Sequence, residues 1–299
     1  MMKTVLHSVS YAGFWGQAKL SLEEFIAHAA KLGYQAVSLA AKRPHASPLD
    51  MTPERTAAVA KLLKDSRIEC QSIAAYTDFT TPNAPGIPVG EMQVAYVTDC
   101  ARLAHAWNSK IVRVFTSYEH GTQDIRGAWS GTVSALRECA DRISPLGVSL
   151  AVQNHHDIGV ATEAMAELLA EVDRPNCKAG FDAWSPALQG LSGRELHDVA
   201  KRMAPLTIQT IVADYIRLPR FNYLPGLTNY QRVEPDLVMA VPFGEGFIDY
   251  PSFFRGLREG GYDGWVMYEM CEKLRGGGSM ENLDRCARTF LSHLKKITA

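Results

Sequence analysis

Short β-rich apolar runs alternate with helical patterns along the chain, and this alternation limits the folds that its 299 residues can adopt. Eight runs have the composition of buried strands, and they begin near Thr4, Gln35, Ile68, Lys110, Val148, Lys178, Thr207 and Gly264. Strands that alternate with helices are typical of a parallel sheet, because each connecting helix returns the chain to the same end of the sheet. Eight such units predict an α/β fold, a single (β/α)8 TIM barrel that covers residues 1–299.

An open, doubly wound sheet is the main alternative to the barrel. Such a sheet usually has a glycine-rich phosphate-binding turn after an early strand, and this sequence has none. Helix boundaries are marked by local signals. Residues Ser21 to Glu24 and Ser192 to Glu195 both have the pattern of a capping box. Pro53 follows Thr52, which is typical of the first position of a helix.

The composition excludes several classes of protein. The chain has 31 basic and 32 acidic residues, so we expect neither a nucleic-acid nor a membrane partner. No apolar run approaches the roughly 20 residues that span a bilayer. Six scattered cysteines without a CxxC pair are typical of reduced thiols, which predicts a cytoplasmic protein.

Two long segments are predicted to be loops at the mouth of the barrel. Residues 76–90 follow the third strand, and residues 214–250 follow the seventh strand and contain Arg217. Both leave the carboxyl ends of strands, where TIM barrels place their active sites. Loops of this length in a compact domain are usually functional.

Polar residues stand at the ends of the last four barrel strands. They are Gln153 and His155, Asp182, Gln209 and Glu269. Side chains two residues apart share one face of a strand, so we expect all five to face one axial pocket. Two carboxylates and two amides supply the hard oxygen ligands that suit Mn²⁺ or Mg²⁺. The alternative is a polar plug in which the amides hydrogen-bond to the carboxylates.

Three further residues are candidate substrate contacts, each with a structural alternative. Arg113 should point inward from the fourth strand, where it contacts substrate or forms an ion pair with a pocket carboxylate. Glu119 follows that strand and either reaches the pocket or lies in a surface loop. Trp15 follows the first strand and either stacks on a sugar or packs in a loop.

Residues 241–271 resemble the end of the sugar phosphate isomerase/epimerase family, which are xylose isomerase-like barrels. The likeness rests on the turn Gly244-Glu-Gly246, on the sequence Gly-Tyr-Asp-Gly that ends at Gly264, and on a strand that ends in Glu269. Gln153-Asn-His155 is similar to the family's Glu-Asn-His on the fifth strand, and Phe181-Asp182 is similar to its aspartate on the sixth.

The resemblance implies a divalent metal, with Mn²⁺ favoured over Mg²⁺ or Co²⁺, and a reaction beside a sugar carbonyl. It implies metal ligands at Gln153, Asp182, Gln209 and Glu269, where Gln209 lies in place of a histidine pair. Arg217 matches an arginine that contacts substrate in some epimerases. The family analogy also favours a homo-oligomer.

One departure from the family affects the predicted mechanism. Gln153 stands where the family has a glutamate that moves protons, and an amide cannot act as a general acid or base. His155 or Glu269 is then the predicted base. We expect an isomerase or epimerase of a sugar or keto-sugar. The alternatives are a lyase or dehydratase that acts on a 3-keto sugar or inosose, and a non-catalytic sugar-binding or partner subunit.

Overall fold

The computed structural model describes residues 2–80, 86–117 and 124–298. Eight parallel strands close into a barrel, which confirms the predicted fold class. The barrel strands are β1 (Lys3–His7), β2 (Ala36–Ala40), β3 (Glu69–Ala74), β4 (Ile111–Val114), β5 (Ser149–Gln153), β6 (Cys177–Gly180), β7 (Thr207–Val212) and β10 (Trp265–Tyr268). Around the barrel their order is β1-β10-β7-β6-β5-β4-β3-β2, so consecutive barrel strands are neighbours.

Helices connect the strands and cover the outside of the barrel. They are α1 (Leu22–Leu32), α2 (Pro53–Asp65), α3 (Val89–Ala106), α4 (Ile125–Ile143), α5 (Thr162–Val172), α6 (Trp184–Leu188), α7 (Gly193–Met203), α8 (Tyr250–Glu259) and α9 (Met280–Thr298). The capping box at Ser21 is confirmed, because its side chain and that of Glu24 each accept a backbone N–H of the other residue. Thr52 caps α2 as its proline signal predicted.

The capping box predicted at Ser192 is wrong. Ser192 is the residue before α7, but its side chain caps no backbone N–H. Gly193 has φ of 52°, a left-handed conformation at the first helical residue. The N–H of Glu195 donates instead to the Ser192 carbonyl at 3.1 Å. A capping motif therefore needs the backbone conformation of its first turn as well as the right residues.

The barrel strands pack against two apolar regions, one outside the barrel and one inside it. The large core lies between strands and helices, where Phe25 and Phe290 are fully buried. A small cluster inside the barrel contains Val5, Ala36, Ile211 and Met267. Met267 therefore packs within the barrel, and this apolar layer lies below the polar strand ends.

The segment predicted as a loop after β7 contains a two-stranded antiparallel sheet. Strands β8 (Asp214–Leu224) and β9 (Asn229–Val241) pair along their lengths, with Pro225 and Gly226 in the turn. The buried carboxylate of Asp214 anchors the base of this hairpin, because its Oδ2 accepts the N–H groups of Gly244 and Gly246 at 2.9 Å. The hairpin is thereby tied to the Gly-Glu-Gly turn.

Within residues 2–80, 86–117 and 124–298, no helix has the length and apolar character needed to cross a membrane.

Candidate active site

A cavity of about 300 Å³ opens at the carboxyl ends of the barrel strands. It brings together five residues predicted from the sequence, namely Trp15, Arg113, Gln153, His155 and Glu269. It also contains residues that the sequence analysis did not assign to the site, including Lys42, Tyr76, Phe115, His156 and Cys271. Strands β1 to β5 and β10 each contribute a residue at or within two residues of their ends, which is the usual position of a TIM-barrel active site.

Glu269 is a buried carboxylate on the cavity wall. Its position is fixed by β10, and its backbone N–H donates to the Val212 carbonyl at 3.1 Å. Burial raises the pKa of Glu269, while the charge of Arg113 and a hydrogen bond from Cys271 act in the opposite direction. The Cys271 thiol donates to Oε1 at 3.4 Å. This environment favours a carboxyl group that takes up a proton more readily than an exposed glutamate.

His7 ends β1 and faces the same carboxylate. Its Nδ1 lies 3.1 Å from the Ser38 carbonyl, and its Nε2 lies 3.9 Å from Oε2 of Glu269. Burial, and next the charge of Arg113, lower the pKa of His7 to about 3, so the ring is neutral near pH 7. Since Nδ1 must donate its proton to the carbonyl, Nε2 presents a lone pair to Glu269.

Gln153 and Asp182 form a hydrogen-bonded pair at the ends of β5 and β6. The Gln153 amide donates to Oδ2 of Asp182 at 3.1 Å, and the Ser185 N–H donates to Oδ1 at 3.0 Å. Asp182 is fully buried, and this burial raises its pKa to about 7. Gln153 lines the cavity, whereas Asp182 lies behind it. This arrangement resembles the polar plug that was the alternative to a metal site.

Gln209 lies deeper in the barrel than Glu269. In the strand register Gln209 pairs with Trp265, four residues before Glu269 on the same segment. Its side-chain oxygen accepts a hydrogen bond from the Gln71 amide across the barrel at 3.1 Å, so this oxygen already has a partner. Ile211, the next inward residue of β7, belongs to the apolar cluster. The structure therefore does not bring Gln209 to the cavity with the other predicted ligands.

His155 and His156 both line the cavity, although strict strand alternation would turn neighbouring side chains to opposite faces. The alternation does not hold here because β5 ends at Gln153 and His156 adopts a φ of 60°. The centres of the two imidazole rings are 3.8 Å apart, and the centre of the Trp184 ring lies 4.5 Å from that of His155. Burial, then the charges of His156 and Arg113, lower the pKa of His155 to about 2.

Two cationic side chains face the same cavity. Arg113 is 2% exposed and points inward, as predicted. The predicted alternative, an ion pair with a pocket carboxylate, is absent among the described residues, none of which places a carboxylate within 4.0 Å of it. Lys42 lies two residues after β2, on the face that Ser38 and Ala40 share. The same alternation that selected Gln153 could have identified it.

The remaining predicted contacts have different positions. Trp15 is 42% exposed at the rim of the cavity. Two further aromatic residues of the cavity wall, Trp184 and Tyr215, stack with their ring centres 5.4 Å apart. Arg217 lies on β8 outside the cavity, with its guanidinium 4.4 Å from the Phe247 ring. Glu119 lies outside the described residues.

The side chains present do not fit a divalent metal ion. Nowhere in the described ranges do three His, Cys, Asp or Glu side chains form a metal-binding group. At the level of Glu269, β7 continues into Ala213, whose side chain offers no ligand atom. The positive charges of Arg113 and Lys42 disfavour a further cation in the same cavity. The metal site predicted at Gln153, Asp182, Gln209 and Glu269 stays a prediction without geometric support.

The closed parallel barrel and the cavity at the carboxyl ends of its strands place the protein in the class of TIM barrels with a small-molecule site. The chain belongs to the xylose isomerase-like TIM barrel family, whose family model matches residues 26–289. This confirms the resemblance seen in the sequence.

Two curated relatives match part of the chain. The inosose dehydratase of Lacticaseibacillus casei is 26% identical over 161 residues, which cover 52% of this chain and 50% of that protein. The rhizopine catabolism protein MocC of Rhizobium meliloti is 27% identical over 144 residues, covering 47% and 42%. The chain thus spans about half the length of the curated relatives it matches.

Among solved structures, D-psicose 3-epimerase from Clostridium cellulolyticum H10 is similar over 99% of both chains, with a TM-score of 0.78. Sequence identity to it is 16%, so this likeness shows a shared fold.

Proposed function

We propose that the protein is a sugar-modifying enzyme that removes a proton beside the carbonyl of a 3-keto sugar or inosose and then eliminates water. The observation that carries the proposal is the pairing of one acid-base carboxylate, Glu269, with an amide, Gln153, in the same cavity. The two side chains come from strands separated by β7 and β6 on the barrel wall. One of the two can accept a proton, and the other can only bind oxygen groups.

Glu269 is the base in this reaction. Its raised pKa makes it a stronger base than an exposed glutamate, and it remains able to ionise because Arg113 offsets part of the effect of burial. The substrate C–H bond breaks, its proton goes to Glu269, and its electron pair forms an enolate. The enolate then expels the hydroxyl on the next carbon, which takes the proton from Glu269 and leaves as water. Atoms and charge balance without an oxidant.

His155 is better suited to binding than to proton removal. With a pKa lowered to about 2, its ring is neutral but too weakly basic to compete with Glu269 near pH 7. Its ring lies between His156 and Trp184. We therefore assign it a hydrogen-bonding role toward a substrate hydroxyl, in place of the role of base that the sequence predicted.

The size and walls of the cavity support a cyclic polyol as substrate. A volume of about 300 Å³ is at the small end of the range for ligand sites. Aromatic rings of Trp15, Tyr76, Phe115 and Trp184 line it. Flat aromatic faces pack well on the C–H faces of sugar rings.

The choice of elimination over epimerisation follows from Gln153. An epimerase with two opposed carboxylates removes a proton on one face and returns one on the other. Gln153 cannot supply the second carboxylate from β5, and Glu272, another carboxylate of the cavity wall, follows Glu269 by three residues on the same segment. The relative named inosose dehydratase supports elimination, although it matches half of this chain. No step is assigned to a metal ion, because the donor set does not fit one.

The test is a panel of keto-sugars and inososes incubated with the protein in D₂O and followed by NMR, with and without Mn²⁺. We expect loss of water from one member, seen as a new vinylic signal. Glu269→Gln should lower the rate by at least about 100-fold, within the range for loss of a general base. The surface variant Glu281→Gln is the matched control and should retain the wild-type rate.

Two results would contradict the proposal. Deuterium exchange without loss of water would identify an isomerase or epimerase, as first predicted from the sequence. Tight binding of a sugar without exchange would identify a non-catalytic binding protein.

A further inference from the structure

Arg113 is a buried cation, and no carboxylate of residues 2–80, 86–117 and 124–298 lies within ion-pair distance of it. One guanidinium nitrogen donates to the Ala75 carbonyl at 3.0 Å, and Nε is buried with no hydrogen-bond partner. The guanidinium carbon lies 4.1 Å from the centre of the Phe115 ring and 4.8 Å from that of Tyr76. A charged group that is almost fully buried is costly unless something pairs with it. The cavity is the space from which such a partner would come.

Lys42 brings a second cation to the same cavity. Its ammonium lies 3.6 Å from the centre of the Tyr76 ring and 4.7 Å from that of Phe14. Residues 2–80, 86–117 and 124–298 place no carboxylate within ion-pair distance of Lys42. Burial, and next the charge of Arg113, lower its pKa. Lys42 and Arg113 therefore share one aromatic wall around Tyr76, and neither has an ion-pair partner in the described part of the chain.

The two cations come from other parts of the barrel rim than the proposed base. Arg113 is on β4, which lies on the opposite side of the barrel from β10 and Glu269. Lys42 follows β2, between them around the ring. A substrate in the cavity would have Glu269 on one side and positive charge on the other. A base and a cation on two sides of a carbonyl compound are what proton removal beside that carbonyl requires.

We infer that Arg113 and Lys42 form an oxyanion-binding pair, which holds the negative charge on the substrate's carbonyl oxygen as Glu269 removes the neighbouring proton. The inference rests on the proposed function. In this arrangement two protein cations supply the charge stabilisation that a bound metal ion gives in metal-dependent proton abstraction. It explains why the cavity combines positive charge with a donor set that does not fit a metal.

Oxalate is a suitable probe, because its two adjacent anionic oxygens resemble an enediolate. The protein is treated with a chelator, dialysed and titrated with oxalate by calorimetry. We expect the wild type to bind oxalate without metal. Lys42→Met and Arg113→Gln should each weaken binding at least about 10-fold, in line with loss of a charged hydrogen bond. Lys42→Arg should restore most of the affinity.

Matched controls separate charge in the cavity from charge on the surface. Lys61→Met removes an exposed lysine on α2 and should bind oxalate like the wild type. Lys42 is only half-buried, so Lys42→Met remains informative if Arg113→Gln fails to fold. Oxalate binding that requires added Mn²⁺ or Mg²⁺, or that is unchanged in Lys42→Met, would overturn the inference.

The same experiments distinguish failure of this inference from failure of the proposed function. Turnover of a keto-sugar that depends on a stoichiometric metal would keep the function and remove the role of the two cations. Metal-free oxalate binding that depends on Lys42, without turnover of any keto-sugar, would keep the anion site and remove the function.

Discussion

Replacing Asp182 with asparagine should remove a pH dependence from the stability of this protein. The carboxyl is fully buried, and its oxygens accept hydrogen bonds from Gln153 and Ser185. No cationic side chain in the described part of the chain lies within ion-pair distance of it. Burial is therefore the largest influence, and it raises the pKa of Asp182 from 3.8 to about 7.

The direction and size of the effect follow from this pKa. Above pH 3.8 the unfolded chain releases the Asp182 proton, whereas the folded protein keeps it until about pH 7. The contribution to stability is complete below pH 3.8, falls as the pH rises to about 7, and is constant above that. At about 1.4 kcal/mol per pH unit, the total loss is about 4 kcal/mol as an upper limit.

Asp182→Asn should hardly change stability at pH 4 and should raise it by about 2–4 kcal/mol at pH 8. The asparagine oxygen can still accept the Ser185 N–H, and the Gln153 amide can rotate to accept the new N–H group. The measurement is guanidinium-induced unfolding from pH 4 to pH 8 in the presence of a chelator. Asp65→Asn, at an exposed aspartate, controls for the substitution itself. A variant that loses stability with pH as steeply as the wild type would refute the reasoning.

Three further predictions concern the site and the core. The kcat/KM should fall as the pH is lowered, with a midpoint above the ordinary pKa of 4.5 of a glutamate because burial raises the pKa of Glu269. The pH–rate profile of His155→Gln should keep this midpoint. If the fall at low pH is absent from the profile of that variant, His155 is the base. Phe290→Ala should lower the free energy of unfolding by about 3–5 kcal/mol, because the ring is fully buried and stacks on an aromatic neighbour at 5.0 Å; a loss under about 1 kcal/mol would contradict the packing. Gly246→Ala should destabilise by about 1–3 kcal/mol in thermal unfolding, since the new Cβ would lie 1.9 Å from a buried carboxylate oxygen, whereas Gly226→Ala, with open space around it, should be neutral.

Local patterns in the sequence were enough to predict the barrel and part of its site. The alternation of strands and helices and the caps at Ser21 and Thr52 depend on neighbouring residues. Strand alternation also placed Gln153 and Glu269 in one cavity correctly. These features depend on the two-residue period of a strand and the 3.6-residue period of a helix, and both are visible without knowledge of the fold.

Such patterns could not predict how deep within the barrel a residue lies. Gln209 shares the inward face with Ala213, but the stagger between β7 and β10 decides that it lies below Glu269. The hairpin of β8 and β9 is tied at its base by hydrogen bonds between Asp214 and a turn about 30 residues later. Sequence alternation reports the face of a strand and carries no information on its stagger against the next.

The sequence by itself determined that this chain forms a (β/α)8 barrel with acid-base and amide side chains at its strand ends, because periodicity and capping are local properties. Only the tertiary structure decided which of those side chains meet. It placed Gln209 out of reach and brought Arg113 and Lys42, which have no ion-pair partner among the described residues, into one cavity with Glu269. Closure of the barrel sets these distances, since it brings together residues that are far apart in the chain.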